Sequence, residues 1–213
     1  MMDLPTSTVV NRFVPKEKFY SKTEVSPKVR QLFISEIEKI TWSNKIAPST
    51  LNISSGKLLE LQVFEVLLKS HDISESVLRH IDKHIPYPIL FIIKSDSSIK
   101  AVISFKEQNQ RVENNMKVDT YFSTNWSTDI NLQLNGNSVD SIYQNYLYQI
   151  APQLKNEKNS TAKQAVESHK VNLKVQKQID QINKQMKSEP SIAKKQELAR
   201  QRHQLEKDLN GDQ

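Results

Sequence analysis

Cysteine is absent from the 213 residues, and with it go a disulfide framework, a thiolate zinc site and a thiol nucleophile. Glycine is nearly absent too. It occurs only at positions 56, 136 and 211, a spacing that allows neither a glycine-rich phosphate cradle nor a dinucleotide-binding fingerprint. Long apolar runs are also lacking: the longest, from Ile85 to Ile93, is about half of the ~20 residues that a bilayer crossing needs. The opening Met-Met-Asp-Leu-Pro-Thr-Ser-Thr has no basic segment leading into an apolar run. Neither a cleaved signal nor a membrane partner is expected, and the expected location is cytoplasmic. No residue pattern asks for a cofactor.

What the chain does have is charge, unevenly spread. Of the formal +6, residues 1–30 carry +3, residues 31–154 carry −2 and residues 155–213 carry +5. Basic ends around a mildly acidic middle favour an acidic surface or a phosphate backbone as partner. The same shifts divide the chain into an N-terminal arm (1–25), a body (26–154) and a basic C-terminal segment (155–213). The body is long enough to bury one core.

Within the body, Ser26-Pro27 marks a helix start, with serine as cap and proline in the first helical position, where its missing N–H costs nothing. Val29, Leu32, Phe33, Ile37 and Ile40 follow at three- and four-residue spacing, which predicts one helix with an apolar face to about Trp42. From Leu58 to Leu68 the period falls to two and both faces are largely apolar, as in a strand covered on both sides. Asp72-Ile73-Ser74-Glu75 offers caps for a short helix carrying Val77, Leu78 and Ile81 and ending near Pro86. Strands are expected at Ile89 to Lys94 and Ile99 to Lys106, joined by Ser95-Asp96-Ser97-Ser98, then at Lys117 to Ser123 and briefly at Ile130, Leu132 and Leu134. Asn137 or Ser138 then caps a helix carrying Val139, Ile142, Tyr143, Tyr146, Leu147 and Ile150.

Beyond a polar connector after Lys155, Val175, Ile179, Ile182 and Met186 recur at helical spacing, as do Leu198, Arg202, Leu205 and Leu209 after Ser188-Glu189-Pro190-Ser191. Two helices of roughly 20 residues, each with a narrow apolar seam, fold back at Pro190. Neither is stable alone, so they pair with each other or with a partner. The expected fold is therefore α+β: a mostly antiparallel sheet flanked by helices, with a βα step leading into it and a coiled-coil-like antiparallel hairpin at the C-terminus.

Candidate functional residues are few. Lys184, Lys187, Lys194, Lys195, Arg200 and Arg202 surround the hairpin turn against Glu189 and Glu197, a net +4 suited to phosphates but also ordinary for a solvated coiled-coil surface. Trp126, after a strand and before Ser127-Thr128-Asp129, is the best candidate for an exposed aromatic contact, with burial an equal expectation. Glu65 interrupts a strand face of leucine and valine. A carboxylate there must be paired or protonated, and a structural ion pair, for instance to the basic N-terminal arm, is the favoured reading. His80 and His84 lie four apart on the short helix, but a catalytic zinc wants three protein ligands, so they read as structural or surface histidines and no metal is assigned.

Several landmarks in order resemble a bacterial family of unknown function: Pro15-Lys16-Glu17-Lys18-Phe19-Tyr20, Gln62-Val63-Phe64-Glu65, Ile85-Pro86, Tyr121 with Thr124 and Trp126, and Asp140-Ser141-Ile142-Tyr143 running to Gln149-Ile150. The resemblance spans nearly the whole chain and implies no catalytic residue. It implies company beside restriction-type helicases and DNA methyltransferases. The function expected is a non-catalytic adaptor of a restriction-modification or phage-defence complex, docking a helicase or DNA methyltransferase subunit, with DNA contact and self-association as further uses of the C-terminal helices. Two other classes compete: a metal-dependent nuclease or other enzyme built on scattered carboxylates such as Glu65, Asp119 and Asp129, and a toxin or antitoxin-type interaction protein.

Overall fold

A computed structural model describes residues 2–21, 24–54, 56–69, 71–108, 116–155 and 161–211. The chain divides into two compact units, residues 1–151 and 152–213. The fold is α+β, and its first unit is built on a six-stranded sheet in sequential order: β1 (Val9–Phe13), β2 (Ile37–Ile46), β3 (Leu61–Leu68), β4 (Ile89–Ser95), β5 (Ser98–Gln108) and β6 (Met116–Ser123). Every neighbouring pair is antiparallel except β3 and β4, which run parallel. A parallel pair needs a crossover, and helix α3 (Glu75–His84) supplies it.

Two helices precede α3. The short α1 (Glu17–Tyr20) places Phe19 in the core, with its ring stacked 6.1 Å from Phe33. Helix α2 (Pro27–Glu36) starts as expected, with Ser26 Oγ accepting from the Val29 N–H at 3.3 Å. It ends six residues early, because Ile37 already belongs to β2. The helical spacing of Ile37 and Ile40 is coincidental: both are buried strand residues, paired with Leu68 and Val66 of β3. Two flanking strands offer this backbone hydrogen bonds on both sides, and β-branched Ile40 and Thr41 beside Trp42 suit a pleated surface.

Period-two alternation then assigns the two faces of the sheet. Phe64 and Val66 of β3 and Phe91 and Ile93 of β4 pack with Phe33, Val77, Leu78 and Ile81 from α2 and α3. The alternate residues Leu61, Val63, Leu90 and Ile103 are buried on the other face, where helix α4 (Val139–Ile150) meets β5 and β6. Ser138 caps α4, its Oγ accepting from the Ser141 N–H while Ser141 Oγ accepts from the Ser138 N–H. The short strand expected at Ile130, Leu132 and Leu134 does not form. Ile130 and Leu132 are buried in irregular chain, so their alternation reports packing without a ladder.

In the second unit, a turn of 3-10 helix (Pro152–Lys155) precedes α5 (Ala162–Ser188) and α6 (Ile192–Gly211), which pack on each other. The polar connector at residues 156–160 lies outside the described residues. Helix α5 has 27 residues, longer than its apolar seam implied, because Thr161 and Gln164 form a capping box well upstream of Val175. No helix among the described residues is long and apolar enough to cross a membrane.

Candidate functional site

The most enclosed charges in the first unit are Lys106 on β5 and Asp82 on α3, both with fully buried side chains, 2.8 Å apart. Three backbone carbonyls complete the ammonium's surroundings, those of Asp82 (2.9 Å), Ile85 (3.1 Å) and Tyr87 (2.7 Å). The Tyr121 hydroxyl donates to the other Asp82 oxygen at 2.5 Å. The Lys106 N–H donates to the Tyr143 hydroxyl at 2.8 Å, which itself donates to the Ser104 carbonyl at 2.6 Å. Burial lowers the Lys106 pKa, opposed by the Asp82 charge and hydrogen bond. Burial, with Asp82 next, raises that of Tyr121. One lysine thus ties the end of α3, the loop into β4 and the β5–β6 pair together. With both charges sealed from solvent, the Lys106–Asp82 pair is structural: it holds the crossover in place.

The sequence-predicted body residues lie apart from it and from one another. Glu65 was expected to be buried and tied to the N-terminal arm. It is instead 41% exposed and pairs with Lys94 of β4 at 2.7 Å. The parallel register sets Glu65 beside Ile92 and Leu67 beside Lys94, so two charges on one face of adjacent strands meet without the arm. Asp119 is on β6, three strand spacings or roughly 14 Å from β3, and the exposed Asp129 accepts from the Ile130 N–H at 2.9 Å. These three carboxylates are not gathered into one site. Among the described residues, no group of three or more His, Asp or Glu is placed to hold a metal ion. His80 Nε2 donates to the Phe19 carbonyl at 2.6 Å and its ring meets Phe33 edge-on, a structural role. Trp126 is half-buried against the core, with the Lys100 ammonium 5.5 Å from its ring centroid.

The hairpin arranges its charges differently. Lys184, Lys187, Lys194, Lys195 and Arg200 are all exposed, and none of the five forms an ion pair among the described residues. Arg202 does not belong with them. Its guanidinium reaches across to Asn183 of α5 at 3.3 Å and pairs with Glu206 at 3.2 Å, so it helps to close the hairpin. Ile179 is buried in the seam, and Ile182, Met186, Leu198, Leu205 and Leu209 are half-buried around it.

A family model described as a domain of unknown function (DUF4391) matches residues 2–209. The chain belongs to that family. No curated protein matches the chain at a significant level, and neither does any solved structure. The matched span takes in the sheet, the buried cluster and nearly all of the hairpin of this family member. Sequence reasoning overlooked Lys106 and Asp82, and named Tyr121 only as a landmark of the family resemblance. Lys106 did carry a signal: by period two it shares a face with Val102 and Ser104, an inward position where lysine is rare.

Proposed function

We propose that this protein is a non-catalytic accessory subunit of a DNA-modifying or phage-defence system in the cytoplasm. Its α+β unit docks a helicase or DNA methyltransferase, and its helical hairpin serves as the contact arm. The observation that carries this reading is the contrast in charge use. Several charges of the α+β unit are engaged internally, in pairs such as Lys45–Glu60 (2.9 Å), Arg79–Glu75 (2.7 Å) and Lys106–Asp82 (2.8 Å). The cations around the hairpin turn are held in water without partners, a surface organised for association. The identity of the partner enzymes rests on the family resemblance.

The test is reconstitution of the full chain with the helicase or methyltransferase encoded beside it. Co-purification is expected, and it should be lost when residues 160–213 are deleted. Metal-dependent cleavage of DNA by the isolated chain, abolished by Glu65→Gln, would overturn the reading in favour of an enzyme.

A further inference from the structure

Two helices bury one stripe of each other, and in this hairpin one stripe leaves the apolar residues half covered. Among the described residues of the seam only Ile179 is buried, while Ile182, Leu198 and Leu205 keep part of their surface in water. Both helices carry a second stripe beside the seam. On α5 it runs through Val171, Val175, Gln178, Ile182, Gln185 and Glu189, and on α6 through Lys194, Leu198, Gln201, Leu205 and Asp208, alternating steps of four and three. Such heptad spacing keeps one face of a helix turned toward further helices.

That face is open. Two grooves of about 410 and 400 Å3 run along it and share Gln185 and Gln201. The first is lined by Gln178, Gln181, Gln185, Gln201 and Gln204 with Ile182 and Leu205, and the second continues toward the turn past Glu189, Lys194 and Glu197. Gln204 donates to Asp208 at 2.9 Å. At 100° per residue Lys174 also falls on this side. The face therefore sets Lys174 and Lys194 against Glu189, Glu197 and Asp208, close to neutral in a C-terminal segment that is otherwise strongly basic. Val171, at its far end, is 52% exposed.

We infer that this face closes against the same face of a second copy, so that two hairpins form a four-helix bundle. A glutamine amide offers both donors and an acceptor, so a field of them is its own complement, which is what an isologous two-fold interface demands. The balanced charges suit a like partner in the same way, and they give a polyanion nothing to select. From Val171 to Glu189 the face is about 27 Å long and two helices, about 20 Å, wide. It would bury roughly 500 Å2 on each copy, about 1,000 Å2 in total, the lower limit for a specific interface. The pairing goes beyond the accessory role proposed above and uses only the hairpin's own residues.

Sedimentation equilibrium of the full chain between ~1 and ~200 µM tests it, because a homodimer with an interface of this size assembles by mass action as concentration rises. The mean mass should climb from that of one chain toward that of two. Gln181→Lys with Gln201→Lys places like charges in the paired grooves and should weaken association about tenfold or more. Gln176→Lys with Gln196→Lys adds the same charge outside both grooves and should stay within about twofold of the parent. All four glutamines are exposed, so neither pair of substitutions opens the seam. A monomer throughout the range, equal weakening by both pairs, or undiminished association of the groove variant would each overturn the inference. No helicase or methyltransferase is present in this assay, so its failure is separable from failure of the docking test.

Discussion

Lysine serves opposite purposes in the two units. Lys106 is sealed inside the first unit, where a carboxylate and three carbonyls surround its ammonium. Lys184, Lys187 and Lys195 stand in water on the second unit without a carboxylate to meet them. An enclosed charge is expensive to desolvate and survives only where the fold supplies every partner. An exposed, unmatched charge costs the fold little and leaves its field available to a ligand. The same side chain is thus a structural tie in one setting and a recognition element in the other.

The harshest way to break this contrast is Lys106→Met. It leaves Asp82 buried with only the Tyr121 hydroxyl and strips the donor from three carbonyls, so unfolding in urea should show a loss of about 3–5 kcal/mol. Adding Asp82→Leu should recover part of that loss, because a buried pair replaced as a whole costs far less than one broken in half. If Lys106→Met alone leaves the urea midpoint unchanged, Lys106 is no structural tie.

A milder effect should follow from acid. Burial holds the His80 imidazole below the ordinary histidine value, outweighing the opposing Phe19 carbonyl, with His84 and Lys83 adding to the lowering. The unfolded chain then takes up the proton first. Stability should hold above pH ~6.5, fall as pH drops below it, and level off below the folded value. His80→Gln should shrink the difference in urea midpoint between pH 7.5 and pH 5, and an undiminished difference would assign the pH dependence to other groups, His169 among them.

The smallest effect is expected at Glu65. Its pair with Lys94 is more than a third exposed on both sides, so Glu65→Gln should change stability by less than about 1 kcal/mol, and less still at high salt. A loss several times larger in thermal denaturation would place Glu65 in the same class as Asp82 and erase the distinction between enclosed and surface pairs.

Local chemistry was the legible part. The Ser26-Pro27 start, the Ser138 cap, the hairpin of β4 and β5 about Asp96 and the fold-back at Pro190 all follow from residues adjacent in the chain, and each is present. The end of α2 was not legible, because Ile37 and Ile40 fit a helix face and a strand ladder equally well until β1 and β3 are there to pair with. The site residues divide in the same way. The cations at the hairpin turn were visible as a composition, whereas Arg202, written into the same cluster, proves to be committed to Asn183 and Glu206.

The amino-acid sequence by itself determined the α+β class, the position of most helices and strands, the basic character of the C-terminal helices and the chemistries excluded by missing cysteine and sparse glycine. These depend on residue type, spacing and capping over a few positions. Only the tertiary structure decided the parallel pairing of β3 with β4, the enclosure of Lys106 with Asp82, and the commitment of Arg202 to Asn183 and Glu206. Those features join residues distant in the chain, such as Asp82 with Lys106 or Asn183 with Arg202, and such contacts exist only once packing has fixed which faces turn inward.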